Sequence, residues 1–172
     1  INIYPDNSKD VLIQNSIAYC TGDAKFNRNN ERPKGIVIGE EDYEDPSWGS
    51  RLENVNVINN VVYACHRGIS LSTELNNGLR NSLIAHNTIV GIIGAYGLRI
   101  IDMPNNTNIR VYNNITSKTP VFEGSGIQSG SNINTTTYAT ALDPQNPSSF
   151  PPASGASAVD AGNNSIGVTS DF

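Results

Sequence analysis

The chain has little charge, almost no sulfur and no long apolar run. Asp, Glu, Lys and Arg make up 16% of its 172 residues, with a net charge of −5 and a pI near 4.9. Nucleic-acid backbones are held by clustered Lys and Arg, so this composition argues against a nucleic-acid partner. It also supplies no basic patch for an anionic membrane surface. No apolar run reaches the roughly 18 residues of a helical membrane span. An initiator Met and a signal peptide are missing, which suggests a processed product or a fragment. The two cysteines, Cys20 and Cys65, lack the paired Cys/His spacing of zinc sites and are either free core thiols or one bridge. No stretch carries the apolar spacing of a long amphipathic helix.

What the chain has in quantity is asparagine, 24 of 172 residues. Several close short alternating apolar runs: "DVLIQNSIAYC" (10–20), "VNVINNVVYAC" (55–65), "SLIAHNTIVGI" (82–92) and "IRVYNNITSKT" (109–119). Aligned on Asn15, Asn60, Asn87 and Asn114, these segments are spaced by 45, 27 and 27 residues. Three residues before each Asn stands Leu12, Val57, Ile84 or Val111. Two residues after come Ile17, Val62, Ile89 and Thr116. A second motif, glycine–aliphatic–variable–aliphatic, recurs as "GIVI" (35–38), "GISL" (68–71) and "GLRI" (97–100), with a weaker copy "GIQS" at 126–129. The period-2 alternation reads as half-buried strands.

Parallel strands need crossover connections, yet nothing between these segments reads as a helix. A solenoid solves this, each cycle forming one coil whose strands pair with their counterparts one coil away. Asn15, Asn60, Asn87 and Asn114 then form a structural ladder at a tight bend. There Asn tolerates the left-handed conformation and stacked amides bond along the column. A leucine-rich repeat also has an Asn column, but its leucine positions are missing here.

The pattern "VNVINNVV…GISL…SLIAHNTIV…GLRI…IRVYNNI" resembles the right-handed parallel β-helix of the pectate-lyase-like superfamily. The segment "FPPASGASAVDAG" (150–162) is similar to closing segments of secreted β-helix proteins. The resemblance implies an all-β fold, a right-handed parallel β-helix of four to five coils over 1–129. Loop insertions are expected at 21–34 and 39–53, and an extended tail over 130–172 that packs on the helix. The fold hosts many functions and does not choose among them.

Enzymes of that superfamily build their sites on the outer face of the glycine-led sheet. The resemblance therefore makes Val37, Ser70, Arg99 and Gln128 the outward positions, with Glu40, Thr73 and Asp102 just beyond and His66 and Arg67 at the turn before "GISL". Arg99, His66 and Asp102 are the catalytic candidates. An arginine could neutralise a uronate carboxylate or abstract its α-proton. No paired-Asp hydrolase motif or Asp-rich calcium motif of the lyases accompanies them. The acidic loop "EEDYED" offers Glu40, Asp42, Glu44 and Asp45 to Ca²⁺, without the spacing of an EF-hand, and a solvated loop is the default. Tyr43 and Trp48 in the same loop can stack on sugar rings or anchor the loop. Asn105, Asn134 and Asn163 begin glycosylation sequons, and Asn114 begins one that a ladder position would bury.

Cys20 and Cys65 both follow an aligned Asn by five residues, which puts them on adjacent coils about 4.8 Å apart. That distance suits a disulfide, although in-register side chains point parallel. A secreted chain favours the bridge. These readings add up to an extracellular or cell-surface structural module, associating with itself end to end or with preceding coils and contacting carbohydrate weakly. The alternative is a lyase, hydrolase or epimerase acting on uronate-containing polysaccharide.

Overall fold

The strands are two to seven residues long, and a left-handed residue follows several of the alternating runs: Asn15, Asn59, Ala64, His86, Gly91 and Asn113. In the computed structural model, residues 2–3, 9–20, 33–40, 52–73, 78–101 and 105–134 are described, with only the backbone of Asn2, Ile3, Glu40 and Thr73. Among these residues there are strands and no helix. The first sheet holds β1 (Asn2–Ile3), β4 (Lys34–Glu40), β8 (Arg67–Thr73), β11 (Leu98–Ile101) and β14 (Val121–Phe122). The second holds β2 (Leu12–Gln14), β6 (Asn56–Ile58), β9 (Leu79–Ala85), β12 (Thr107–Tyr112) and β15 (Ile127–Gly130), with β5 (Leu52–Glu53) also paired to β9. The third holds β3 (Ile17–Tyr19), β7 (Val61–Tyr63), β10 (Thr88–Val90), β13 (Ile115–Thr116) and β16 (Ile133–Asn134). All pairings are parallel. The chain visits the three sheets in the same order in five successive rounds, an arrangement compatible with a parallel β-helix. The rounds run to Asn134, past the boundary expected at residue 129.

Alternation sends one set of side chains from all three sheets into a single core. Ile36, Ile69 and Leu98 stack from the first sheet, Val57, Ile84 and Val111 from the second, Val62 and Ile89 from the third. The recurring glycine marks the corner before each first-sheet strand. A Cβ on Gly68 would run into the Gly97 carbonyl and the Ile89 side chain, and one on Gly35 into Val62. These glycines face the core, and so do Ile36 and Ile69 immediately after them. Two consecutive inward positions mean that the backbone turns there, which points the preceding residue outward.

Two repeat assignments change. The first-round strands pair one residue out of the expected register: Ile13 lies beside Val57 and Ile17 beside Val61. Asn15 therefore matches Asn59, and Ser16 matches Asn60. Ile13 and Ala18 are buried, while Leu12 and Ile17 face solvent. A one-residue slip reverses every side chain, and hiding Ile13 and Ala18 settles which register is adopted. The weak copy "GIQS" is not a glycine-led strand either. Ile127–Gly130 pairs with β12 in the second sheet, so Gln128 lies beside Arg110, and the fourth first-sheet partner is Val121–Phe122.

The asparagines form separate columns. Asn60, Asn87 and Asn114 are wholly buried, and Asn132 extends their column. The Asn60 N–H and Nδ2 donate to Asn87 Oδ1, and the Asn87 N–H and Nδ2 donate to Asn114 Oδ1. The Asn114 N–H and Nδ2 donate in turn to Asn132 Oδ1. Each Nδ2 also donates to a core-strand carbonyl one round back, those of Ile13, Val57 and Ile84. Asn15 belongs instead to a column with Asn59, His86, Asn113 and Ser131, all with φ between 50° and 56°. The left-handed bend is thus made by Asn59 rather than Asn60. A further left-handed column, Asp10, Asn54, Asn81 and Asn108, lies two residues before β2 and β6 and inside the first half of β9 and β12.

Cys20 and Cys65 are joined by a disulfide with a Cα–Cα distance of 4.9 Å. They are not in register: Tyr19 pairs with Tyr63, so Cys20 lies opposite Ala64. Ala64 is left-handed, φ 57°, and Cys65 comes one residue later. The offset removes the parallel in-register stacking that would have held the Cβ atoms apart.

Candidate functional site

The corner glycines fix what the outer face of the first sheet presents. The residues turned outward just before them are Lys34, Arg67 and Tyr96. Lys34 pairs with Arg67 in register, and Tyr96 stands beside Arg67 in the next round, its carbonyl accepting the Gly68 N–H at 3.2 Å. The next outward row is Val37, Ser70, Arg99 and Val121. The Arg99 guanidinium lies 5.3 Å from the centroid of the Tyr96 ring, and its Nε donates to Ser70 Oγ at 2.6 Å. Ser70 is buried beneath it. Three cations and an aromatic ring from three consecutive rounds therefore share one face, in a chain holding only 11 Lys and Arg.

Such a face can hold carboxylates. Arg presents a planar fork of donors to a carboxylate, and cation–π packing holds the fork in place. With its Nε spent on Ser70, Arg99 is a positioned cation. His66 stands at the corner before β8, its N–H donating to the Pro33 carbonyl and its own carbonyl accepting the Gly94 N–H. The structure brings Arg99 to Tyr96 and Ser70 and places His66 one residue before β8.

The remaining candidates fall elsewhere. Asp102, Asp42, Glu44, Asp45, Tyr43 and Trp48 lie outside the described residues, as do the tail from residue 135 onward and Asn163. Glu40 ends β4 in backbone only. Among the described residues no His, Cys, Asp or Glu cluster is grouped to hold a metal ion. Asn105 and Asn134 are exposed, whereas Asn114 is in the buried column. No helix among the described residues is long and apolar enough to cross a membrane.

Lys34 and Tyr96 escape the sequence reading. The signal was the residue before each recurring glycine, which alternation assigns inward and the corner turns outward. A scan of protein-family models and searches of curated proteins and solved structures give no match to this chain.

Proposed function

We propose that this chain is an extracellular or cell-surface structural module, a right-handed parallel β-helix that associates through its end coils and holds anionic carbohydrate against the first sheet. The observation that carries the carbohydrate part is the face formed by Lys34, Arg67, Tyr96 and Arg99, a cationic and aromatic strip on an acidic protein. Carboxylates along a uronate polymer recur at a spacing that several coils can meet together. Handedness follows from the connections: each round is a crossover between parallel neighbours, and such crossovers are right-handed in about 98% of cases. A disulfide between successive rounds suits an oxidising compartment.

Affinity electrophoresis through polygalacturonate tests it. Retardation is expected, reduced at least about fivefold in affinity by Arg67→Ala with Arg99→Ala, in line with the loss of two exposed ion pairs. A neutral glucan should not retard the chain. Equal mobility in both gels would overturn the reading. A second reading, a lyase, hydrolase or epimerase on uronate polymers, is favoured by the stacked Arg99. New reducing ends or unsaturated uronate, abolished by Arg99→Ala, would establish it in place of the first.

A further inference from the structure

One oxidised pair, the Cys20–Cys65 disulfide, already joins the rounds that hold β3 and β7. A second pair of oxidisable side chains stands beside it. Tyr19 and Tyr63 are partners in register on β3 and β7, one and two residues before the cysteines. Their rings stack with centroids 5.7 Å apart and planes 13° apart. This is the one stacked pair of rings among the described residues. Tyr96 lies instead under the Arg99 guanidinium, and the Tyr112 ring lies against Gly130.

Three features hold the two rings together. Parallel pairing sets neighbouring strands about 4.8 Å apart, so the two side chains leave the sheet side by side. The disulfide closes immediately after both strands and keeps the rounds in contact there. On the other side of Tyr63, a Cβ on Gly91 would stand 2.8 Å from Tyr63 Cε2 and 3.0 Å from Cδ2. The third round thus covers that edge of the ring, and Cε1 is the carbon beside the hydroxyl that is turned from it. Tyr19 is 44% exposed and Tyr63 half-buried, so a soluble oxidant reaches the pair.

We propose that Tyr19 and Tyr63 are a site of oxidative cross-linking, joined ring to ring as dityrosine. The oxidant is a one-electron acceptor of the peroxidase class working with hydrogen peroxide. Each phenol gives up one electron and its hydroxyl proton and becomes a phenoxyl radical, whose unpaired electron is shared with the ortho carbons. The two radicals combine in a Cε–Cε bond. The hydrogen on each bonded carbon then moves to the phenolic oxygen and restores the hydroxyl. In sum two hydrogens leave the protein, and one hydrogen peroxide becomes two waters. The ring torsion χ2 is broad for tyrosine, so turning one edge toward the other needs a side-chain rotation rather than a change of strand register. The product ties the same two rounds as the disulfide, by a carbon–carbon bond that thiols do not break. The setting that suits the disulfide, an oxidising compartment, suits this reaction as well.

The cross-link goes beyond the proposed function and depends on neither its carbohydrate part nor its self-association. Each ring meets the other at an effective concentration in the millimolar range or above, against about 10 μM for other copies in dilute solution, a preference of about a hundredfold. Oxidation of the chain at that dilution by a haem peroxidase and hydrogen peroxide tests the proposal. A monomer lighter by two hydrogens is expected, with dityrosine fluorescence. After reduction of the disulfide and proteolysis, the peptides of Tyr19 and Tyr63 should emerge as one species. Tyr19→Phe retains a ring for the stack and should lower monomeric dityrosine at least about tenfold, whereas Tyr112→Phe should leave it unchanged. Oxidation of the reduced chain in urea should also lower the Tyr19–Tyr63 product at least about tenfold, because the fold is what sets the rings together. Dityrosine confined to dimers and larger species, an undiminished monomer signal in Tyr19→Phe, or an equal yield from the unfolded chain would overturn the proposal. So would its absence under conditions that couple free tyrosine.

Discussion

Asn59 and Asn60 are adjacent in the chain and do different work. Asn60 is wholly buried, and its side chain and N–H form hydrogen bonds with Ile13, Ser16 and Asn87 in the rounds on either side. Asn59 sits at the left-handed bend itself, φ 55°, 7% exposed, and its Nδ2 donates to Asn15 Oδ1 at 2.8 Å. One asparagine is selected for its amide, the other for a backbone conformation. The columns beyond them repeat the distinction: the inner one is Asn at every round from Asn60 to Asn132, while the outer one admits His86 and Ser131. A buried amide has no chemical substitute, whereas several residues tolerate the left-handed region.

The largest break in that comparison should come from the middle of the inner column. Asn87→Ala takes away the acceptor of the Asn60 N–H, one acceptor of Asn60 Nδ2, the amide donor to the Val57 carbonyl and one of the two donors to Asn114 Oδ1, all buried. Each such group costs roughly 1–3 kcal/mol, so a loss of at least about 4 kcal/mol is expected. Urea unfolding with intrinsic fluorescence would measure it, and a loss below about 1 kcal/mol would mean that water or repacking replaces the amide.

The disulfide comes next. It spans 45 residues and ties the first round to the second. Removing a cross-link of that length relieves the unfolded chain of a constraint worth about 4 kcal/mol in the loop-entropy model, and measured values run lower. Cys20→Ser with Cys65→Ser should therefore lower stability by about 2–4 kcal/mol. Thermal unfolding of the double variant, alongside the reduced parent, would check the value.

How much of this was legible in the sequence differs by position. The glycine-led strands at 35, 68 and 97 stand in the expected register, because a corner that excludes a Cβ admits only glycine. The interior Asn of rounds two to four also stand together, because their 27-residue spacing leaves no slack. The first round slipped by one residue. Leu12 and Ile13 are both aliphatic, as are Ile17 and Ala18 in small measure, so the apolar pattern fits either register and only burial distinguishes them. Pairs such as Asn59–Asn60 and Asn113–Asn114 hide which member is inward for the same reason. The cationic face was half legible: Arg99 lay on an outward position by alternation, whereas Lys34 and Tyr96 depend on the turn at the glycine, which breaks alternation.

The outer column should respond weakly and with a different preference. Asn59→Gly keeps the left-handed backbone at little steric cost and should change stability by no more than about 1 kcal/mol. Asn59→Ala keeps a Cβ there without the short polar side chain that eases the left-handed conformation, and should cost about 1–2 kcal/mol. The order Gly above Ala is the opposite of what helix or strand propensity would give. At Asn60, where the amide matters, Gly and Ala should both be severe. If Asn59→Gly proved as damaging as Asn60→Gly, the division of labour between the two residues would be lost.

The smallest effect is expected at His86, the one imidazole in the outer column. It holds φ 56°, and its Nε2 lies 3.2 Å from Asn113 Nδ2. With Nδ2 as the donor, the ring must be neutral and carry its proton on Nδ1. Asn at this position would reproduce the amide-to-amide contact seen between Asn59 and Asn15, and it tolerates the same backbone. His86 is half-exposed, so an exchange of one partly solvated hydrogen bond for another should leave stability within about 0.5 kcal/mol. Paired urea titrations of the parent and His86→Asn at neutral pH would resolve that difference. A loss above about 2 kcal/mol would show that the imidazole packs in a way the column geometry does not require, and would move His86 from the class of Asn59 to that of Asn60.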